Sequence, residues 1–186
     1  MAYTVSLVEG SVDFTALPIV KITEYPFEKG IYRPYAHGAA CISDGWLWVR
    51  MLAFEAISIE NSKIAAAFSL PESKKLLVIQ ADETSGSAVC RNENGEETAV
   101  CAEYRFFKGE DLQGKYWGVQ ARIKLDDIAD VLPKEKLKAG ACIYGNYFKV
   151  CETKPYVHYG SAFPYAFDKT QLNEQNGMAE FVIADY

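Results

Sequence analysis

Tyr116-Trp117-Gly118-Val119-Gln120-Ala121-Arg122-Ile123-Lys124-Leu125 alternates without a break between two kinds of side chain. Trp117, Val119, Ala121, Ile123 and Leu125 are apolar; Tyr116, Gly118, Gln120, Arg122 and Lys124 are polar, amphipathic or small. Successive side chains of an extended strand point to opposite faces, so one set belongs to a core and the other meets solvent or a ligand. Residues 46–54, Trp-Leu-Trp-Val-Arg-Met-Leu-Ala-Phe, are apolar on both faces and read as a central, buried strand. Further strands are expected at 36–42, 63–70, 75–81, 87–92, 97–107, 141–150 and 178–184. They recur every ten to fifteen residues or so, the rhythm of an all-β sandwich. Asn94-Gly95 supplies positive φ angles for a tight type I′ hairpin. The run Ala65-Ala66-Ala67 prefers helix by propensity and opposes the strand pattern of its own segment. One short connecting helix is expected, with Asp126 as N-cap, Ile128, Val131 and Leu132 on one side, and Pro133 as its stop. Segments 2–12 and 168–177 read as long surface stretches, and no repeat, low-complexity tract or linker divides the chain.

The chain has 186 residues, of which 49% are hydrophobic, and a domain of that size buries roughly 70% of the surface its unfolded form exposes. Neither a metal nor a disulfide is needed to hold it. Nineteen basic residues against 25 acidic ones give a net charge of −6. Without a Lys/Arg run, that balance argues against nucleic acid or an anionic membrane as partner. The N-terminus carries neither a basic n-region nor an apolar h-region, which reads as a cytoplasmic protein. Cys41, Cys90, Cys101, Cys142 and Cys151 are odd in number and widely spaced, which suits reduced residues rather than a CxxC site or a disulfide framework.

Few residues have the pattern that catalysis needs. His37 and His158 are the two histidines, and no HExxH, GxSxG, phosphate-loop or dinucleotide fingerprint accompanies them. Cys151 and His158 could form a thiolate dyad, although a strand-end thiol beside a loop histidine explains both. Glu55 and Glu103 could act as a glycosidase pair if held about 5 to 9 Å apart, or could be buried acids bridged to Arg50, Arg105 or Arg122. The unusual quantity is aromatic content, 13%, carried by twelve tyrosines, ten phenylalanines and three tryptophans. Tyr joins an apolar body to a polar tip, and an aromatic plate with polar partners at its rim suits a saccharide. Eight aromatics crowd into residues 144–167, among them Tyr159, Phe163 and Tyr165. The alternative reading makes them sheet core and loop anchors.

Tyr144-Gly145-Asn146-Tyr147-Phe148-Lys149-Val150-Cys151, followed by His158-Tyr159-Gly160-Ser161, resembles the C-terminal signature of the family nine carbohydrate-binding modules and their DOMON-like relatives. That signature runs Gly-Asn-Phe-Tyr-Lys, a short gap, then His-Phe-x-Ser-Trp. Residues 44–55 resemble the family's early strand that closes on a Glu, Asn61-Ser62 and the run to Phe68 its Asp-Ser-x-x-Glu-Phe-Phe strand, and 76–86 and 116–125 two later strands. The resemblance covers about 35–183. It departs at Ala162, where the family carries its sugar-stacking aromatic, with Phe163 one residue later. It departs again at Asn61 and Ala66, where the family has acids, and at 172–179, which lack the family's His and Pro, so no calcium ligands are assigned.

The resemblance implies a single-domain antiparallel β-sandwich of jelly-roll type over 1–186, with about eight to eleven strands and one short connecting helix. It implies non-catalytic binding of a saccharide or polyol; no cofactor and no metal ligand are assigned from the sequence. The expected ligand-binding residues are Tyr116, Gln120, Arg122, Arg91, Asn146, Tyr159, Phe163 and Tyr165. Tyr116 and Trp117 point oppositely, so only one can line the site, and Tyr116 shares its face with Gln120 and Arg122. A structural or interaction sandwich that has lost its sugar site, meeting a protein partner or a second copy, is the second reading, and a cryptic glycoside hydrolase the third.

Overall fold

Thirteen strands make up the described chain, residues 3–26, 32–167 and 177–186 of a computed structural model. They are β1 (Tyr3–Leu7), β2 (Val20–Ile22), β3 (Ala36–Ser43), β4 (Trp46–Phe54), β5 (Lys63–Ser69), β6 (Leu76–Ala81), β7 (Gly86–Arg91), β8 (Glu97–Ala99), β9 (Glu103–Asp111), β10 (Gly114–Lys124), β11 (Cys142–Cys151), β12 (His158–Ser161) and β13 (Ala179–Asp185). One layer runs β9-β10-β4-β3, and the far edge of β3 is shared by β2 and β1. The other runs β8-β7-β6-β5-β11, and the far edge of β11 is shared by β13 and β12. β1 lies parallel to both β13 and β3 and joins the layers along one side, while a bridge between Glu24 and Ser161 joins them beside β2 and β12. The sandwich is therefore a mixed sheet curled on itself, antiparallel everywhere except along β1.

The alternation read from 116–125 holds along the strand. Trp117, Val119, Ala121 and Ile123 are buried in the shared core with Val49 and Met51 of β4 and Ala66, Phe68, Leu77 and Ile79 of the opposite layer. Ala65-Ala66-Ala67 is strand despite its helical propensity, because both faces are covered: Ala66 inside, Ala65 and Ala67 outside beneath Phe148 and Tyr165.

Four local expectations need correction. Segment 2–12 is not simply surface, since Tyr3–Leu7 is a strand with Val5 and Ser6 buried; segment 168–176 lies outside the described residues. The stretch expected at 97–107 breaks into β8 and β9. The helix expected after Asp126 is a 3₁₀ turn at Leu125–Ile128, which no side chain caps, followed by another at Lys134–Lys136. Finally, only Gly95 of the Asn94-Gly95 pair has a positive φ, 82°. The type I′ hairpin lies instead between β3 and β4, where Asp44 and Gly45 have φ of 50° and 80° and Ser43 pairs directly with Trp46.

Aromatic rings recur over glycines. Tyr147 crosses the core from β11 and occupies the place of a side chain at Gly38 on β3; Tyr104 does the same at Gly86, Tyr25 at Gly160 and Tyr116 at Gly109. A Cβ at Gly38 would run into the Tyr147 ring, which has no room to retreat. Gly38→Ala is expected to lower stability by about 1–3 kcal/mol in denaturant unfolding, and Tyr147→Leu in that background to recover part of the loss. An unchanged midpoint in Gly38→Ala contradicts this packing.

Candidate functional site

The residues of the signature meet inside the sandwich. Glu55 follows β4, Ser62 precedes β5, Trp117 comes from β10 and Lys149 from β11, so both layers contribute. The Lys149 ammonium stands 3.2 Å from Glu55 Oε1, donates to the Ser62 hydroxyl and lies 5.5 Å from the centre of the Trp117 ring. Ser62 donates to Glu55 at 2.9 Å, Trp117 Nε1 donates to Glu55 Oε2 at 2.6 Å, and Tyr32 reaches Oε1 at 3.4 Å. The side chains of Lys149 and Glu55 are 0% exposed. Burial lowers the Lys149 ammonium from its ordinary value, and the neighbouring Glu55 carboxylate opposes that shift. Asn61, with φ of 58°, makes the turn that brings Ser62 to the carboxylate. His158 lies on the same inner face, its Nδ1 2.7 Å from the Tyr156 carbonyl and its ring 5.6 Å from that of Tyr32. Burial, reinforced by the Lys149 cation, pushes it down to about 4.

The outer face of β4, β10 and β9 has a different character. Across the strands, Trp48 is level with Arg122 and Glu103, Arg50 with Gln120 and Arg105, Leu52 with Gly118 and Phe107, and Phe54 with Tyr116 and Gly109. Arg122 lies over Trp46 at 4.7 Å and Trp48 at 5.2 Å and pairs with Glu103 at 2.6 Å. Arg50 lies over Phe107 at 4.7 Å. The Tyr116 ring reaches across Gly109 with its hydroxyl end, beside Phe54, with ring centres 5.4 Å apart. Loop residues Phe14 and Leu17 cover the neighbouring outer face of β3 at Ala39 and Cys41 and stop at Trp48.

The eight residues expected to bind ligand do not form one site. Tyr116, Gln120 and Arg122 share the face just described. Trp117, on the other side of the strand, holds Glu55 in the core. Arg91, Asn146, Tyr159 and Tyr165 belong to the opposite layer. Arg91 pairs with Glu97; Tyr159 is half-buried, 5.8 Å from Phe167 and bonded to Glu152; Tyr165 is buried against Phe148. Phe163 packs edge-on against Tyr3 at 4.5 Å and Phe181 at 5.9 Å. Asn146 is 0% exposed, and backbone groups take up its whole amide: Oδ1 accepts from Tyr147, Ala162 and Phe163, and Nδ2 donates to the carbonyls of Phe163 and Gly177. It organises the turn after β12 and presents nothing to a ligand.

The acids and the thiol also separate. Glu55 faces the core and Glu103 the outer face, so they do not share a cleft; their cationic partners are Lys149 and Arg122. Cys151 and His158 are level across β11 and β12, yet the thiol faces the carbonyls of Glu60 and Thr153 and the imidazole that of Tyr156. All five cysteines are unpaired, and burial pushes the Cys41 thiol up to about 12. Among the described residues, no group of three or more His, Cys, Asp or Glu is placed to hold a metal ion. Trp46, Trp48, Arg50, Arg105 and Phe107 were missed as site candidates, although the parity of 46–54 puts Trp46, Trp48 and Arg50 on one side.

This sandwich has the fold of a carbohydrate-binding module. It superposes on a protein of Bacteroides uniformis described as a candidate carbohydrate-binding protein, with a TM-score of 0.74, 12% identity and coverage of 98% of both chains. A family 9 carbohydrate-binding module of Caldicellulosiruptor kristjanssonii in complex with cellotriose aligns with a TM-score of 0.57 and 13% identity, over 100% of this chain and 95% of that one. The same organism's module in complex with glucose gives 0.53 and 13%, over 100% and 94%. The sequence itself matches no protein-family model and no curated protein.

Lys149→Met leaves a buried carboxylate without its cation, and a loss of about 3–5 kcal/mol is expected; Glu55→Leu added to it is expected to restore most of that. Urea unfolding measures both. His158 has a folded value depressed below its ordinary 6.5, so its stabilising effect is full above pH 6.5 and is lost as pH falls towards 4. The loss amounts to about 3 kcal/mol. It is expected in pH-dependent unfolding of the wild type and to be absent in His158→Gln.

Proposed function

We propose that the protein binds a saccharide, without catalysis, on the outer face of β4, β10 and β9. The observation that carries this reading is Tyr116, laid across Gly109, in line with Gln120 and Arg122, all three half-exposed on one face. A half-exposed ring on a sheet offers a plate for the C–H face of a sugar. Amide and guanidinium groups along the same strand supply hydrogen bonds to its hydroxyls. Tyr116 and Gln120 are four residues apart, about 13 Å along an extended strand, so the face accommodates a ligand longer than one pyranose ring. The fold shared with modules seen in complex with glucose and cellotriose supports a saccharide as ligand.

An interaction sandwich without a sugar site has its own support. At the position where the resemblance implies a stacking aromatic stands Ala162, 8% exposed, its amide bonded to Asn146 and to the Tyr147 carbonyl. Calorimetry and thermal shift against a panel of oligosaccharides separate the two. Under the saccharide reading, Tyr116→Ala and Gln120→Ala each weaken binding roughly tenfold, about 1.4 kcal/mol, while Phe163→Ala leaves it unchanged. If no glycan binds the wild type, the interaction reading replaces it. Full affinity in Tyr116→Ala moves the site elsewhere.

A further inference from the structure

On a chain of net charge −6, the outer face of β4, β10 and β9 gathers Arg50, Arg105, Arg122 and Lys124, and Glu103 is the carboxylate standing among them. The guanidiniums are not equivalent. Arg122 is neutralised by Glu103, which accepts from its Nε at 2.8 Å. Arg50 and Arg105 have no ion pair among the described residues. They flank Gln120 in one row across three strands, and a strand spacing of about 4.8 Å sets their Cα atoms about 10 Å apart.

Arg50 is also held in a fixed attitude. Phe107 lies across the gap left by Gly118, where a Cβ would stand 2.5 Å from its ring, and Arg50 stacks on that ring. Stacking orients a guanidinium without neutralising it and leaves its edge donors available. Asp13 lies within electrostatic reach of Arg50 without forming an ion pair with it, and its Oδ1 accepts from the amide and hydroxyl of Thr15 at 2.9 and 2.7 Å.

We propose that the ligand of this face is an acidic oligosaccharide, a uronide, whose carboxylate is held between Arg50 and Arg105 against the Gln120 amide while a neighbouring sugar unit lies on Tyr116. This rests on the saccharide reading above and narrows it. A neutral sugar would make no use of the two positive charges on either side of Gln120, whereas a carboxylate answers both and fits the planar fork of each. The faces of Trp46, Trp48 and Phe107 are already occupied by Arg122 and Arg50, which leaves Tyr116 as the plate and the guanidinium edges as the polar rim.

The test is calorimetric titration of the wild type, Arg50→Gln, Arg105→Gln and Tyr116→Ala with trigalacturonate, cellotriose and a sulfated trisaccharide, at low and high salt. The proposal expects trigalacturonate to bind at least tenfold tighter than cellotriose and to weaken with salt. It also expects each arginine variant to lose tenfold or more for trigalacturonate, with cellotriose unaffected. Equal affinity for cellotriose and trigalacturonate overturns it while leaving the saccharide reading standing. Tighter binding of the sulfated sugar overturns the carboxylate assignment. If Tyr116→Ala binds every sugar as the wild type does, the saccharide reading of this face fails, and this proposal with it.

Discussion

A charged pair with no access to water governs this sandwich. Lys149 and Glu55 come from opposite layers, and neither can stay ionised in the core without the other. Their surroundings follow from that need. Glu55 has a serine, an indole N–H and a phenol directed at it, and the Lys149 ammonium faces an indole ring. Any slip of one layer past the other breaks these contacts together, so the pair sets the register between layers that apolar side chains alone define loosely. His158 sits neutral nearby for the same reason, since a second cation beside Lys149 would lack a counter-charge.

The aromatic excess has a second structural cause. A glycine within a strand leaves a gap on one face, and in this protein a ring from elsewhere in the chain fills it: Tyr147 at Gly38, Tyr104 at Gly86, Tyr25 at Gly160, Tyr116 at Gly109 and Phe107 at Gly118. In the interior this ties the two layers together. On the outer face it draws Tyr116 and Phe107 across the neighbouring strand, the second as a seat for Arg50.

Much of the fold is legible in the sequence: the apolar run at 46–54 has the bounds of β4, although its Trp46, Trp48, Arg50 and Phe54 face is only half-buried where a strand covered on both faces is expected, and the parity of 116–125 separates Trp117 from Tyr116. β1 escaped notice although Tyr3-Thr4-Val5-Ser6-Leu7 alternates, and β12 is four residues with a glycine inside. The site was legible only by halves. Parity shows that Tyr116, Gln120 and Arg122 share a face, but nothing local shows that β11 and β12 lie in the other layer, so Asn146, Tyr159 and Tyr165 were grouped with residues across the sandwich. The signature motif was recognisable for a reason unrelated to sugar. Its Lys, Asn and His serve the buried pair and the turn after β12.

The seam between the layers carries a consequence for synthesis of the chain. All five residues of β1 pair with β13, whereas β3 offers partners only to Ser6 and Leu7. β1 must therefore wait for β13 before its long edge is satisfied, with eleven other strands made in between. Such distant pairing slows folding and leaves an unsatisfied edge on every incomplete chain. On the ribosome the layers can assemble in part, but they cannot be sealed until β13 has emerged.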